Sequence, residues 1–101
     1  MTKRKLTIHE AVRDEVVDAV VYYEEQQLGL GNSLLEEWEK SINKIHLTPE
    51  AYQIKRKHFR EVLLDKFPYL IVFETTDTEV FVYRFINAKR HQNKRYVKRK
   101  N

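Results

Sequence analysis

The hydrophobic period of this sequence changes once, and the change divides the chain into a helical half and a strand half. After a short alternating pattern at Lys5–Ile8, apolar residues recur every three or four positions until Pro49, as on one face of a helix. Beyond Tyr52 they alternate or form short runs rich in Val, Ile, Phe and Tyr, which is typical of strands. An α+β fold is therefore predicted, because helices and strands are segregated along the chain.

Two helices are expected before Pro49. The first begins at Glu10 and ends near Gly29, since glycine is the commonest residue just beyond a helix C-terminus. Ser33 and Glu36 have the spacing of a capping box, which predicts the start of the second helix, and Pro49 ends it. Helices joined by so short a link should form an antiparallel hairpin.

Three strands are expected in the second half, over residues 59–64, 69–73 and 80–86. The predicted order is β-α-α-β-β-β, with an antiparallel meander covered on one face by the helical hairpin and the first strand at an edge of the sheet. Strict alternation along the last strand places Phe81, Tyr83 and Phe85 on one face. Its other face then carries a second set: Val80, Val82, Arg84 and Ile86.

The composition is that of one small domain. Its 101 residues leave no room for a second core, and we assign 1–101 to one domain with a basic C-terminal tail from about residue 88. The chain has no cysteine, which excludes disulfides and thiolate sites. No stretch approaches the roughly 20 apolar residues that a membrane-spanning helix needs, so we expect a cytoplasmic protein.

The charge is distributed unevenly. Residues 1–51 hold six Lys or Arg and ten Asp or Glu, a net charge of −4, whereas residues 52–101 hold thirteen and five, a net charge of +8. Such a division indicates an acidic or polyanionic partner for the second half, although a basic tail can also serve solubility alone.

Several strings in this order resemble the RelE/ParE toxin superfamily. Tyr22 and Tyr23 stand ahead of Gly29-Leu30-Gly31, which is similar to a "YY…GLG" junction of ParE-like members. Arg60 precedes residues 67–73, FPYLIVF, which is similar to the family's "R…FPYxIxY". The resemblance implies a growth-inhibiting toxin that a small cognate antitoxin masks, acting either on DNA gyrase, as ParE-like members do, or as a ribosome-dependent mRNA endoribonuclease, as RelE-like members do.

Metal-free RNA cleavage needs cations at the phosphate and groups that move protons, so Arg, Lys, His and Tyr are the residues to consider. Arg90 and Tyr96 match the spacing of the arginine and near-terminal tyrosine of RelE-like cleavage sites. Arg60 matches the family arginine ahead of FPY, and His91 lies in the right region to act as an acid or base. Each of these has a structural alternative, as a solvated cation or a packed tail residue.

Further residues are candidates for binding a target or nucleic acid rather than for catalysis: Lys55, Arg56, Lys57, Arg84, Lys89 and Arg95. Arg84 stands mid-strand among apolar neighbours, so either its face opens to a partner or an acid meets it. No histidine has ligand-like spacing with others, and we expect neither a metal nor a cofactor.

Departures from the family patterns favour the ParE-like branch. RelE-like members carry an arginine where this chain has Leu70, and a lysine pair where it reads Arg60-Glu61-Val62-Leu63. ParE-like members in turn often have histidine where this chain has Asn87. The sequence therefore predicts a gyrase-directed toxin, with mRNA cleavage and a non-toxic RNA-binding module as the alternatives.

Overall fold

The computed structural model describes residues 3–89, which form two helices and a five-stranded sheet. The α+β order is confirmed, and a short strand that the sequence did not predict is added before the meander. In chain order the elements are β1 (Lys5–Ile8), α1 (Glu10–Gln26), α2 (Leu30–Leu47), a 3-10 turn (Pro49–Ala51), β2 (Ile54–Arg56), β3 (Phe59–Leu63), β4 (Tyr69–Thr75) and β5 (Glu79–Asn87).

The sheet is mixed, with strand order β1-β5-β4-β3-β2. Strands β2 to β5 form the expected antiparallel meander. Strand β1 lies at an edge as predicted, and its neighbour is β5, to which it runs parallel with Leu6 opposite Val80. The two chain halves are thus joined in one sheet.

The helical hairpin packs on one face of this sheet, as expected. Its buried stripes are Val12, Val16 and Ala19 on α1 and Leu34, Trp38, Ile42 and Ile45 on α2. They meet alternate residues of the central strands, including Ile71, Phe73, Val80, Val82 and Phe85. At the centre, the rings of Trp38 and Phe85 pack edge to face with centroids 5.1 Å apart.

The start of α2 differs from the prediction. The helix begins at Leu30, and Ser33 makes no side-chain cap; its backbone N–H donates to the Gly29 carbonyl within the helix. The Glu24 carboxylate of α1 supplies the acceptors instead, taking hydrogen bonds from the backbone N–H groups of Gly29 and Gly31 at 3.0 Å. The capping-box prediction was therefore wrong, because an acid from the preceding helix already satisfies this terminus.

The faces of β5 also differ from the prediction. On β4, Phe73 pairs with Val82 of β5, and the preceding residue, Val72, pairs with Arg84. Tyr83 is therefore an extra residue in β5. Such a β-bulge reverses the alternation beyond it. Val80, Val82 and Phe85 consequently share the helix-covered face, which the sequence had divided between two faces.

No helix in the described part of the chain has the length and apolar character to cross a membrane.

Candidate functional site

Arg60, one of the candidate catalytic residues, holds the chain before β2. Its Nη1 donates to the backbone carbonyl of Tyr52 at 2.5 Å, and the residue is half-buried on β3. The Tyr52 ring in turn packs edge to face on Phe73 with centroids 5.8 Å apart. The structure thus gives Arg60 a structural contact in place of the pairing with Glu61 or Glu74 that the sequence left open.

Arg84, a candidate for target binding, is met by an acid. Its Nε lies 3.2 Å from Oε2 of Glu15 on α1, and the other carboxylate oxygen of Glu15 accepts a hydrogen bond from the Phe85 N–H at 2.9 Å. Both side chains of the ion pair are about one-fifth exposed. Of the two possibilities for Arg84, the structure therefore shows an acidic partner within the protein. The ion pair lies where β5 extends beyond the end of β1.

The remaining described cations lie at opposite ends of the sheet. Lys55, Arg56 and Lys57 are exposed at the β2–β3 turn, beside the end of β4, whereas Lys89 follows β5 beside the start of β4. Lys89 is positioned by a hydrogen bond from its backbone N–H to Asn87 Oδ1 at 2.9 Å. Within residues 3–89 these candidate cations do not form a single cationic surface.

The other candidates lie outside the described residues. They are Arg90, His91, Arg95 and Tyr96, all in the basic tail.

The structure brings together three polar side chains that the sequence analysis did not single out. Glu74 on β4 accepts a hydrogen bond from the Tyr83 hydroxyl at 2.6 Å through Oε2, while its Oε1 lies 2.6 Å from His58 Nε2. His58 belongs to the β2–β3 turn and Tyr83 is the bulged residue of β5. We call these three residues the His58–Glu74–Tyr83 network; only the strand register brings them together.

The network lies on the sheet face opposite the helices, among aromatic rings. The Phe59 ring packs on His58 with centroids 4.5 Å apart and on Tyr83 at 5.1 Å. Phe81 continues the row at 4.5 Å from Tyr83. Rings from the β2–β3 turn, β3 and β5 therefore form one row that ends at the exposed β2–β3 turn.

Burial, the hydrogen bond to Glu74 and the negative charges of Glu74 and Glu79 together raise the pKa of the Tyr83 hydroxyl from 10.0 to about 12, with burial as the largest cause. Tyr83 therefore stays protonated and donates to Glu74 at neutral pH. Perturbed pKa values are commoner at functional sites than elsewhere, although structural networks also cause them. Residues 3–89 contain no group of three or more His, Asp or Glu side chains placed to hold a metal ion.

Comparison with known proteins was made by sequence and by fold. No family model matches the chain. Toxin ParE2 of Mycobacterium tuberculosis, from strains CDC 1551 / Oshkosh and H37Rv, is 28% identical over 78 residues, which cover 76% of this chain and 74% of the toxin. A solved structure described as the chromosomal ParDE TA system from P. aeruginosa superimposes with a TM-score of 0.74 at 9% identity, over 84% of this chain and 96% of that one.

The sequence match and the shared fold extend over most of the chain. The chain is similar in sequence to Toxin ParE2 and shares the fold of the ParDE structure. In this chain, the two glycines of the "YY…GLG" string are explained by packing. Gly29 adopts φ +94°, and a Cβ on Gly31 would lie 2.7 Å from the Val20 carbonyl oxygen, so both glycines permit the close helical hairpin.

Proposed function

We propose that this ParE-like chain is the toxin of a type II toxin–antitoxin system and arrests growth by acting on DNA gyrase in the cytoplasm. The toxin assignment is supported by the match to Toxin ParE2 over about three quarters of both chains. The gyrase target is our inference from the resemblance to ParE-like toxins, which act on DNA gyrase.

The observation that favours gyrase over mRNA is the side chain at Leu70. RelE-like ribonucleases carry an arginine at the matching position, where it can reach a phosphate. In this chain Leu70 is only 6% exposed and pairs with Ile86 on β5 and Leu63 on β3. The position is apolar and buried, so the cation that RNA cleavage would use there is missing.

The contacts of Arg60 and Arg84 within the protein also favour gyrase over mRNA as the target. A catalytic cation must be free to contact the phosphate as charge develops in the transition state. Here Arg60 donates to the Tyr52 carbonyl and Arg84 pairs with Glu15. These structural contacts support the gyrase proposal over mRNA cleavage.

Ribosome-dependent mRNA cleavage remains the second candidate, because Arg90 and Tyr96 keep the RelE-like spacing. In that mechanism Arg90 would hold the scissile phosphate and Tyr96 would stack on a base or take part in proton transfer. The metal-independent reaction would need no cofactor.

For the partner, we propose a small antitoxin whose contact segment is acidic. The solved structure that shares this fold is described as a ParDE TA system, which supports an antitoxin partner. The net charge of +8 on residues 52–101 would attract an acidic segment by long-range electrostatics.

Inducible expression in bacteria tests the target. We expect growth arrest, gyrase-dependent DNA breaks and intact mRNA. Discrete cuts within translated codons, abolished by Arg90→Ala, would instead establish the ribonuclease and reject gyrase. A product that leaves growth unchanged at verified soluble expression would reject the toxin assignment and favour a non-toxic RNA-binding module.

Co-expression with the product of an adjacent small reading frame tests the partner. We expect growth to recover and the two chains to co-purify, with binding that weakens as salt is raised. A co-purified partner that is neutral or basic at the contact would contradict the charge argument while leaving the toxin assignment intact.

A further inference from the structure

We propose that the His58 ring and the basic β2–β3 turn form a binding site for single-stranded nucleic acid, with a base stacked on His58 and the phosphates held by Lys55 and Lys57. The proposal does not depend on which cellular target the toxin has. Four features support it: the fixed His58 ring, the Phe59 ring behind it, the tight β2–β3 turn and the exposed lysines around it.

The first observation is that His58 is an exposed aromatic ring held in one orientation. Its side chain is 62% exposed, yet Nε2 is 2.6 Å from Glu74 Oε1. An exposed histidine ordinarily samples several rotamers, and fixing one costs conformational entropy on binding. Here that entropy is already lost in the free protein, so the ring is preorganised for a ligand.

The second observation is the support behind the ring. Phe59 packs against His58 with a centroid distance of 4.5 Å and an angle of 32° between the ring planes. Glu74 is itself fixed by the Tyr83 hydroxyl at 2.6 Å. One face of the imidazole is thus backed by an aromatic ring and its edge is held by a carboxylate, which leaves the other face for a base. Stacking on aromatic rings is the sequence-tolerant component of single-strand binding.

The third observation concerns the turn that carries the ring. Arg56 and Phe59 are paired, so Lys57 and His58 are the two residues of a tight turn, and Lys57 has a φ of +54°. A left-handed conformation is uncommon for a residue other than glycine, asparagine or aspartate. Two-residue hairpin turns commonly require this conformation. The turn therefore holds the backbone of Lys57 next to the stacking ring.

The fourth observation is that exposed cations flank the ring. Lys55 and Lys57 are both exposed, one on β2 and one in the turn. Phosphates of a single strand bind to such positive charge, and the resulting affinity depends on salt. The acid in contact with the ring, Glu74, is bound to both Tyr83 and His58. An aromatic face beside lysines fits a base and its phosphates, whereas an acidic peptide would use only the lysines.

Fluorescence anisotropy with the full chain and labelled 12-nucleotide oligo(U) and oligo(dT) tests the site. We expect binding to at least one, with the preferred strand identifying RNA or DNA as the ligand. His58→Ala should weaken binding roughly tenfold, the effect of losing one stacked base, while His58→Phe should retain most of the affinity. Replacing both Lys55 and Lys57 with Gln should reduce the slope of log affinity against log salt by about 1.4.

Matched controls separate this site from general charge attraction. Replacing Lys40 and Lys44, two exposed lysines of α2, with Gln makes the same charge change on the helical side of the molecule. The proposal is rejected if that pair weakens binding as much as the Lys55 and Lys57 pair, or if His58→Ala binds like the unmodified chain. Equal affinity for an abasic strand or for poly-glutamate would also reject it. Growth arrest is scored separately, so failure of this site and failure of the toxin assignment give different results.

Discussion

The Glu24 carboxylate accepts hydrogen bonds from the backbone N–H groups of both Gly29 and Gly31, and so links the end of α1 to the start of α2. Each free N–H at a helix N-terminus carries partial positive charge that an acid can stabilise. Here the acid comes from the preceding helix, seven residues before Gly31. The geometry of the hairpin and the capping of α2 therefore depend on the same side chain.

Replacing Glu24 with Ala should lower the free energy of unfolding by about 1 kcal/mol, the usual cost of losing an N-terminal cap. Urea unfolding followed by circular dichroism measures this. Glu25→Ala is the control, since Glu25 is an exposed neighbour on the same helix and should change stability by less than about 0.5 kcal/mol. Equal effects of the two substitutions would contradict the capping role.

Gly31→Ala should destabilise the protein by about 1–3 kcal/mol, because a Cβ there would lie 2.7 Å from the Val20 carbonyl oxygen, a backbone atom that cannot move alone. Thermal unfolding measures the difference. Ser33→Ala is the matched control on the exposed side of the same helix. It should change stability by less than about 0.5 kcal/mol, because Ser33 makes no cap. A loss at Ser33 as large as at Gly31 would restore the capping box and contradict this account.

Glu15→Ala should cost about 1–3 kcal/mol, because it leaves the Phe85 N–H and the Arg84 guanidinium without this acceptor in a part-buried site. Glu15→Gln should cost less, since the amide oxygen can still accept from Phe85. A double-mutant cycle with Arg84→Met isolates the ion pair. Coupling indistinguishable from zero would show that Arg84 is not stabilised by Glu15, and Arg84 would again become a candidate for target binding.

The helical spacing was predicted well, whereas the capping of α2 and the features that depend on strand register were not. The buried stripe of α2, including Trp38 and Ile42, follows from helical spacing alone. The bulge at Tyr83 could not be read from alternation, because an extra residue leaves the hydrophobic pattern of β5 looking regular.

The same limit applies to the candidate site. Arg84 was correctly recognised as a charge that needs a partner, but finding Glu15 required the packing of α1 beside β5. His58 and Glu74 are 16 positions apart in the sequence, and they meet only because β3 pairs with β4. The spacing of the histidines indicated no metal site and no other use for His58, whereas its contacts with Glu74 and Phe59 support a binding role.

The raised pKa of Tyr83 predicts how stability depends on alkaline pH. The folded-state pKa of about 12 exceeds the ordinary value of 10.0, so the folded protein keeps a proton that the unfolded chain releases first. The stability from Tyr83 is complete below pH 10 and is lost as the pH rises through 12. Tyr83→Phe should remove this component of the alkaline loss, as measured by urea unfolding at a series of pH values. The other tyrosines remain as an internal control, because both proteins contain them. Identical alkaline profiles would mean that Tyr83 ionises in the folded protein as it does in the unfolded chain, and that its bond to Glu74 does not favour the neutral hydroxyl.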